Sequence, residues 1–216
     1  MAKIAVLVGA TGLIGGHLLN LLVESPHYDQ VYVLGRRAPV SSHPKIHFIR
    51  SDFSPLHLTH EIPDHVRDVF CCLGTTIKKA GSQAAFRQVD YQFPIDIAKA
   101  AKAKGAHHFL MVTAMGAKAN SSIFYNKVKG EVEQAIGKLD FPRYSIFRPS
   151  LLMGEREEQR TAEDIGKALA PLMKFLLQGP LKKYRPIAGL QVAQAMYQKA
   201  QEAGEGKSII LNDQMV

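Results

Sequence analysis

Cysteine is scarce: the 216 residues hold two, Cys71 and Cys72, adjacent inside an apolar stretch. Adjacent strand residues point to opposite faces and are poorly placed to bond to each other. A disulfide framework is therefore excluded, and a reduced, cytoplasmic chain is expected. No apolar run approaches the roughly 18–20 residues of a membrane helix, so a membrane partner is not expected. The N-terminus is apolar but broken by glycine and lacks a small-residue cleavage site, which reads as a strand and not as a signal peptide. The net charge is +8 and the pI about 9.5, yet no basic run is interleaved with aromatics and no zinc-finger spacing occurs. The lysines scatter (Lys78, Lys79, Lys99, Lys102, Lys104, Lys182, Lys183) as solvated faces do, so no nucleic acid is expected. The nine histidines lack His-Glu-x-x-His spacing and there is no Cys-x-x-Cys, so no metal is expected. Internal repeats and low-complexity segments are absent as well.

What the chain does have is concentrated in its first twenty residues. A consecutive apolar run, Ile4 to Val8, has the habit of a strand buried on both faces. Gly9-Ala-Thr-Gly12-Leu-Ile-Gly15 follows, and then an apolar-periodic helix. Glycine sits where the chain must bend tightly and where a ligand must meet backbone. The first amides of the helix have no internal partners, and with the positive end of its dipole they suit an anion, most often a diphosphate. Strand before and helix after give the glycine spacing its meaning.

Val31 to Leu34 reads as a second strand ending at Gly35-Arg36-Arg37. In nucleotide-binding α/β folds this strand end lies beside the adenosine ribose. A carboxylate there would accept from a 2′-hydroxyl; two arginines instead offer forked donors for a 2′-phosphate, which favours NADP over NAD. Lys45 to Ile49 is a third strand, and Asp52 at its mouth is read either as an acceptor for an adenine amine or as a turn or cap aspartate before Pro55. Val66 to Leu73 is a fourth strand opening into Gly74-Thr75-Thr76. Ser82 to Lys104 is read as helical, restarting at an Asp90 cap with Pro94 in the first turn. His108 to Val112 and Pro142 to Phe147 are strands around a helix that begins at Asn120 or Ser121 and runs to about Lys138. The alternation predicts an α/β doubly wound parallel sheet with helices on both faces. After Leu151 a charged loop (Glu155 to Arg160) leads to an apolar helix, Ile165 to Leu177, a second helix near Gly189 to Glu202, and a last strand, Ser208 to Leu211. Residues 1–216 are taken as one domain, with 151–216 a small substrate-side segment.

In the helix after the fifth strand, Tyr125, Val128, Lys129, Val132 and Ile136 share one face, and Lys127, Glu133 and Gln134 are expected to point elsewhere. A lysine on an apolar stripe needs a partner, and the i, i+4 spacing sets its ammonium beside the Tyr125 ring. A nearby ammonium favours phenolate and brings a phenol toward the range of acid–base work. Such a phenol can protonate a carbonyl oxygen while hydride attacks the carbon, and Thr113, at a neighbouring strand end, is placed to hold the same oxygen. The plainer readings are a core tyrosine and a snorkelling lysine.

Gly9-Ala-Thr-Gly12-Leu-Ile-Gly15, Tyr125-Asn-Lys-Val-Lys129 and Arg148-Pro-Ser resemble the atypical short-chain dehydrogenase/reductases. Within these, Tyr125-Asn-Lys-Val-Lys-Gly-Glu-Val-Glu and Tyr144-Ser-Ile-Phe-Arg-Pro-Ser-Leu-Leu are similar to the branch of NADPH-binding oxidoreductases related to the HIV Tat-interacting protein. The resemblance implies a seven-stranded Rossmann sheet with NADPH along its carboxyl edge. It implies that Gly9, Thr11, Gly12, Leu13, Ile14 and Gly15 cradle the pyrophosphate and that Arg36 and Arg37 meet the 2′-phosphate. Asp52 and Phe53 would border the adenine, and Leu73, Gly74 and Thr75 the cofactor's middle. Tyr125 would be the acid/base, Lys129 would hold the nicotinamide ribose, and Leu152 and Arg160 would touch or cover the cofactor. Thr113-Ala114 stands where related enzymes often have two serines. The short region after Ser150 implies a small or apolar carbonyl or quinone-like substrate, or none. An NADPH-binding sensor acting through a partner is the alternative from another class; an epimerase or dehydratase is disfavoured by the same short region. A homodimer or a protein partner is left open.

Overall fold

The computed structural model describes residues 3–153 and 184–215. In chain order its elements are β1 (Ile4–Val8), α1 (Leu13–Glu24), β2 (Gln30–Gly35), β3 (Ile46–Arg50), α2 (Pro55–Glu61), β4 (Val66–Cys71), α3 (Ile77–Ala80) and α4 (Gln83–Arg87). A π-helical turn, Gln88–Gln92, follows. Then come α5 (Phe93–Ala103), β5 (His108–Val112), α6 (Phe124–Gly137), β6 (Arg143–Arg148), β7 (Leu152–Met153), β8 (Ile187–Ala188), α7 (Gly189–Gln201) and β9 (Gly206–Leu211).

The main sheet has seven strands in the order β3-β2-β1-β4-β5-β6-β9, every pair parallel. This is the doubly wound Rossmann arrangement that the alternating pattern predicts. The central strands β1 and β5 run apolar at consecutive positions because both of their faces are covered. Ala5 and Leu7 of β1 pack with Leu18 and Leu22 of α1 and with Val192 and Met196 of α7. Val6 and Val8 pack on the other side with Leu58, Ile97, Val132 and Ile136. β1 pairs with β2 on one side and β4 on the other, so the strand order reverses there. A crevice opens at the carboxyl end of such a switch point, and Gly9 stands at its lip.

Several extents differ from the sequence expectation. β4 ends at Cys71 rather than Leu73. The stretch 82–104 is not one restarted helix but α4, the π-helical turn and α5, and Asp90 lies inside the turn instead of capping anything. α2 and α3 were not expected; Pro55 heads α2 at a position where its missing N–H costs nothing. α6 starts at Phe124, because the Ser121 hydroxyl accepts from the Ile123 amide in a local turn that holds off the helix. The described part of 151–216 is no mere substrate-side segment. β9 completes the sheet against β6, and α7 packs along α1, where a Cβ at Gly189 would lie 2.6 Å from Leu13 Cγ. Asn212 ties this end in, accepting from the Ser150 amide at 2.9 Å and donating to the Arg185 carbonyl at 2.9 Å. The charged loop 155–160 and the expected helix 165–177 lie outside the described residues.

Candidate active site

The site begins with the turn after β1. Gly9 has φ +87°, and a Cβ there would lie 2.6 Å from the Cys72 carbonyl oxygen of the chain leaving β4. A Cβ at Gly15 would lie 2.1 Å from the Gly9 carbonyl oxygen. The turn is therefore folded back on itself and wedged against its neighbour, which only glycine permits. The Gly12 amide donates to Gly9 O at 3.0 Å, and the first α1 bond runs from the Gly16 amide to Gly12 O at 2.9 Å. The amides of Leu13, Ile14 and Gly15 precede that first bond, as an anion-binding helix start requires.

A pocket of about 80 Å³ adjoins the turn, lined by Gly9, Ala10, Thr11, Gly35, Arg36, Arg37, Phe53 and Leu73 together with Val33 and Leu34. The structure thus brings residues from four separate stretches into one cavity, all of them expected at a dinucleotide except the β2 residues and Ala10. Arg36 and Arg37 are exposed at its rim. Phe53 is buried at φ 63°, with its amide donating to the Ser51 hydroxyl and its ring 5.2 Å from that of Phe93.

Asp52 is not in that lining. Its Oδ1 accepts from the Ser54 amide at 2.8 Å and lies 3.4 Å from His57 Nδ1. The Ser54 amide, with His57 beside it, holds this exposed carboxyl below the usual carboxylate range. Asp52 Oδ1 thus serves the turn that leads into α2, as the turn or cap reading expects, and Asp52 does not line the pocket.

Tyr125 and Lys129 share the inner face of α6. Lys129 is buried, its ammonium 6.0 Å from the Tyr125 ring centroid, and Phe86 of α4 lies 5.5 Å from the same ring. Lys129 Nζ is 2.7 Å from Oδ1 of the buried Asp90. Oδ2 of Asp90 accepts from the Thr75 amide at 2.9 Å. Gly74 lies over the pair: a Cβ there would be 3.6 Å from Asp90 and 3.8 Å from Lys129 Nζ. Burial works to lower the Lys129 proton affinity, but the Asp90 carboxylate, with Tyr125 and Cys71 adding, outweighs it and holds the ammonium above its ordinary range. Sequence reasoning missed Asp90 as a site residue. The available signal was a carboxylate whose neighbours one helical turn away, Phe86 and Phe93, are apolar, which invites a buried cation as readily as a cap.

Thr113 and Glu133 need correction. Glu133 does not point away from the core; it is buried, and Arg148 grips it through Nε at 3.0 Å and Nη2 at 2.5 Å. The Thr113 hydroxyl donates to Glu133 Oε1 at 2.6 Å. Its proton is thereby committed, and the expected role of Thr113 as a donor to a carbonyl oxygen does not fit this geometry. Leu152 sits in the β7–β8 ribbon opposite Ile187, packed on the α1 side of the core. Arg160 lies outside the described residues. Burial pushes the Cys71 thiol up to about 11 and the Cys72 thiol higher still, so neither supplies a thiolate.

The family model described as NAD(P)H-binding matches residues 9–170. The chain is 37% identical over 205 residues to "Protein FMP52-1, mitochondrial" of Scheffersomyces stipitis, which spans 93% of this chain and 89% of that protein. It is 34% identical over 202 residues to "Protein FMP52, mitochondrial" of Debaryomyces hansenii, spanning 92% and 88%. Among solved structures, MoeE5 in complex with UDP-glucose and NAD superposes at a TM-score of 0.72 with 14% identity, over 95% of this chain and 74% of that one. The Bordetella bronchiseptica enzyme WbmH in complex with NAD+ superposes at 0.69 with 16% identity, over 98% and 75%. At such identities the likeness is one of fold. The expectation of a cytoplasmic chain is overturned by the mitochondrial names of these relatives. Two adjacent cysteines that cannot pair with each other do not choose among compartments.

Proposed function

Because the chain belongs to the NAD(P)H-binding family, we propose that it binds NADPH in preference to NADH and reduces a small carbonyl or quinone-like substrate at Tyr125. The observation that carries the cofactor choice is the pocket in which the glycine turn and the Arg36–Arg37 pair meet. The glycines fit the group: a Cβ at Gly9 or Gly15 would collide with backbone, so the turn keeps bare amides where a diphosphate would lie. Arg36 and Arg37 replace the carboxylate that a 2′-hydroxyl calls for. Leu73, Gly74 and Thr75 would border the middle of a bound cofactor, and the buried Lys129 would hold a ribose hydroxyl.

A bound nicotinamide supplies hydride. Tyr125 gives its phenol proton to the substrate oxygen as the carbon is reduced, and Phe86 fixes its ring. The Lys129 ammonium draws the phenol into place and is itself kept charged. With Thr113 bound to Glu133, the substrate oxygen is held by Tyr125 without that second hydroxyl. This commitment of Thr113 is also what favours a second reading, an NADPH-binding sensor that signals through a partner.

The deciding experiment is a paired fluorescence titration with NADPH and NADH, followed by NADPH oxidation assays on small aldehydes, ketones and quinones. Tight NADPH binding with turnover that Tyr125→Phe abolishes supports the reductase. Tight binding without turnover moves the reading to the sensor, and equal affinity for both cofactors removes the 2′-phosphate clamp.

A further inference from the structure

On the flank turned away from α5 and the π turn, α6 borders a cavity of about 840 Å³. It shares no residue with the pocket at the glycine turn. One wall is the loop 115–120 after β5, the other is α6 at Gly130, Glu133 and Gln134, and Arg148 of β6 and Lys207 of β9 complete it. Ile209 lies two residues on from Lys207, hence on the same face of the edge strand, and is left 41% exposed. The loop wall is fixed by the protein itself. Its Met115 amide donates to Pro149 O at 3.0 Å and its Lys118 amide to Asn126 O at 3.0 Å. It lies directly on α6, where a Cβ at Gly130 would come within 2.2 Å of Ala119 N. The groove is thus preformed and has the size that small organic ligands occupy.

Its charge is unbalanced. Lys118, Arg148 and Lys207 bring three cations to the groove against one carboxylate, Glu133. Glu133 is already engaged by Arg148 and by the Thr113 hydroxyl. Lys118 and Lys207 have no carboxylate partner among the described residues. Lys207 Nζ is 5.7 Å from the Tyr144 ring centroid, near Gly137 of α6, whereas Lys118 is rooted beside Asn126. Between Asn126 and Gly137 the helix advances roughly 16 Å, so the two lysines stand toward opposite ends of the groove. We propose that this groove is a second ligand site, taking an elongated small organic anion that carries a carboxylate or phosphate at each end. Lys118 meets one end and Lys207 the other, while Met115, Ala117 and Ala119 lie along the ligand's body. The site does not depend on the NADPH reading, since no residue of the cofactor pocket enters it.

The test is isothermal titration of the full chain with two dianions, suberate and fructose 1,6-bisphosphate, beside their single-ended counterparts octanoate and fructose 6-phosphate. Suberate probes carboxylate ends and the bisphosphate probes phosphate ends. One dianion is expected to bind saturably and about tenfold or more tighter than its counterpart, the scale of one charged hydrogen bond. Lys118→Ala and Lys207→Ala should each weaken that binding about tenfold, and Arg36→Ala with Arg37→Ala should change it by less than about twofold. Both lysines are exposed, so the variants keep the fold, and their melting temperatures check this. Equal affinity for a dianion and its counterpart overturns the proposal. So does binding that is lost with the arginines and not with the lysines, and so does the absence of saturable binding up to about 10 mM. Binding of a poly-glutamate peptide alone also overturns it, and makes the groove a docking surface for an acidic protein segment. A chain that fails to bind NADPH leaves every arm of this test intact.

Discussion

At Arg36 and Arg37, two exposed side chains carry the proposed preference for NADPH. Each offers charge-assisted donors that a 2′-phosphate can use and a 2′-hydroxyl cannot. Replacing both with alanine should weaken NADPH binding by about ten- to a hundredfold, the scale of one or two charged hydrogen bonds, and change NADH binding by less than about twofold. Fluorescence titration with both cofactors measures this, and equal losses would sink the clamp. Tyr125→Phe removes one hydroxyl and leaves the ring against Phe86. Any NADPH-dependent reduction should fall by about a hundredfold or more, the usual worth of a positioned acid, with NADPH affinity unchanged. Steady-state rates beside a binding titration separate the two. These residues were legible in the sequence because their chemistry is local: a glycine spacing, an Arg-Arg pair at a strand end, a Tyr-x-x-x-Lys step. Asp90 and Glu133 were not, since a carboxylate acquires its partner only when distant segments meet.

Elements carry the next layer. α6 is held by its apolar face, Val128, Val132 and Ile136, and by Glu133, which joins the ends of β5 and β6 through Thr113 and Arg148. Removing Glu133 leaves the partly exposed Arg148 and the buried Thr113 hydroxyl without their acceptor, at a cost of about 2 kcal/mol. Glu133→Ala should therefore lower the urea midpoint and, by loosening α6, weaken whatever rate Tyr125 supports. Glu133→Gln, which keeps the shape and can still accept from Thr113, should lose less. An unchanged midpoint in Glu133→Ala would mean that Arg148 finds another partner. The π turn shows the limit of pattern reading at this scale. Its residues 88–92 have ordinary helical sequence, and only the packing of α4, α5 and α6 around it decides that the ladder takes an extra residue.

Across the whole molecule, a polar row crosses the sheet away from the carboxyl edge. Tyr28 donates to Asp68 at 2.8 Å, His108 Nδ1 lies 3.5 Å from Asp68, and His108 Nε2 meets Ser145 at 2.9 Å, with Ser208 a further 2.9 Å on. His108 is fully buried, and burial pushes its proton affinity below the ordinary histidine value, even against Asp68. The unfolded chain thus binds this proton more readily than the native one, so stability is full above about pH 6.5 and declines as pH falls below it. Urea unfolding at about pH 7.5 and about pH 5.5 should show a lower midpoint in acid, and His108→Gln should remove most of that difference. A wild-type midpoint that does not move between the two would show that Asp68 compensates the charge. The carboxylates held low, Asp52 and Asp64, lose their contribution only at a more acidic pH, and both are exposed.

By itself the sequence determined the strand–helix alternation, the parallel sheet and the glycine turn, because apolar periodicity and backbone freedom are properties of neighbouring residues. It also named the side chains that an NADPH site would use. Tertiary structure alone decided which of them meet. It set Arg36, Phe53 and Leu73 in one pocket with Gly9 and gave the Thr113 proton to Glu133. It also made β9 the edge strand of the main sheet and packed α7 into the core beside α1. A hydrogen bond or an ion pair forms over about 3 Å, and the residues that meet so closely here are tens of positions apart along the chain, where no local pattern can pair them.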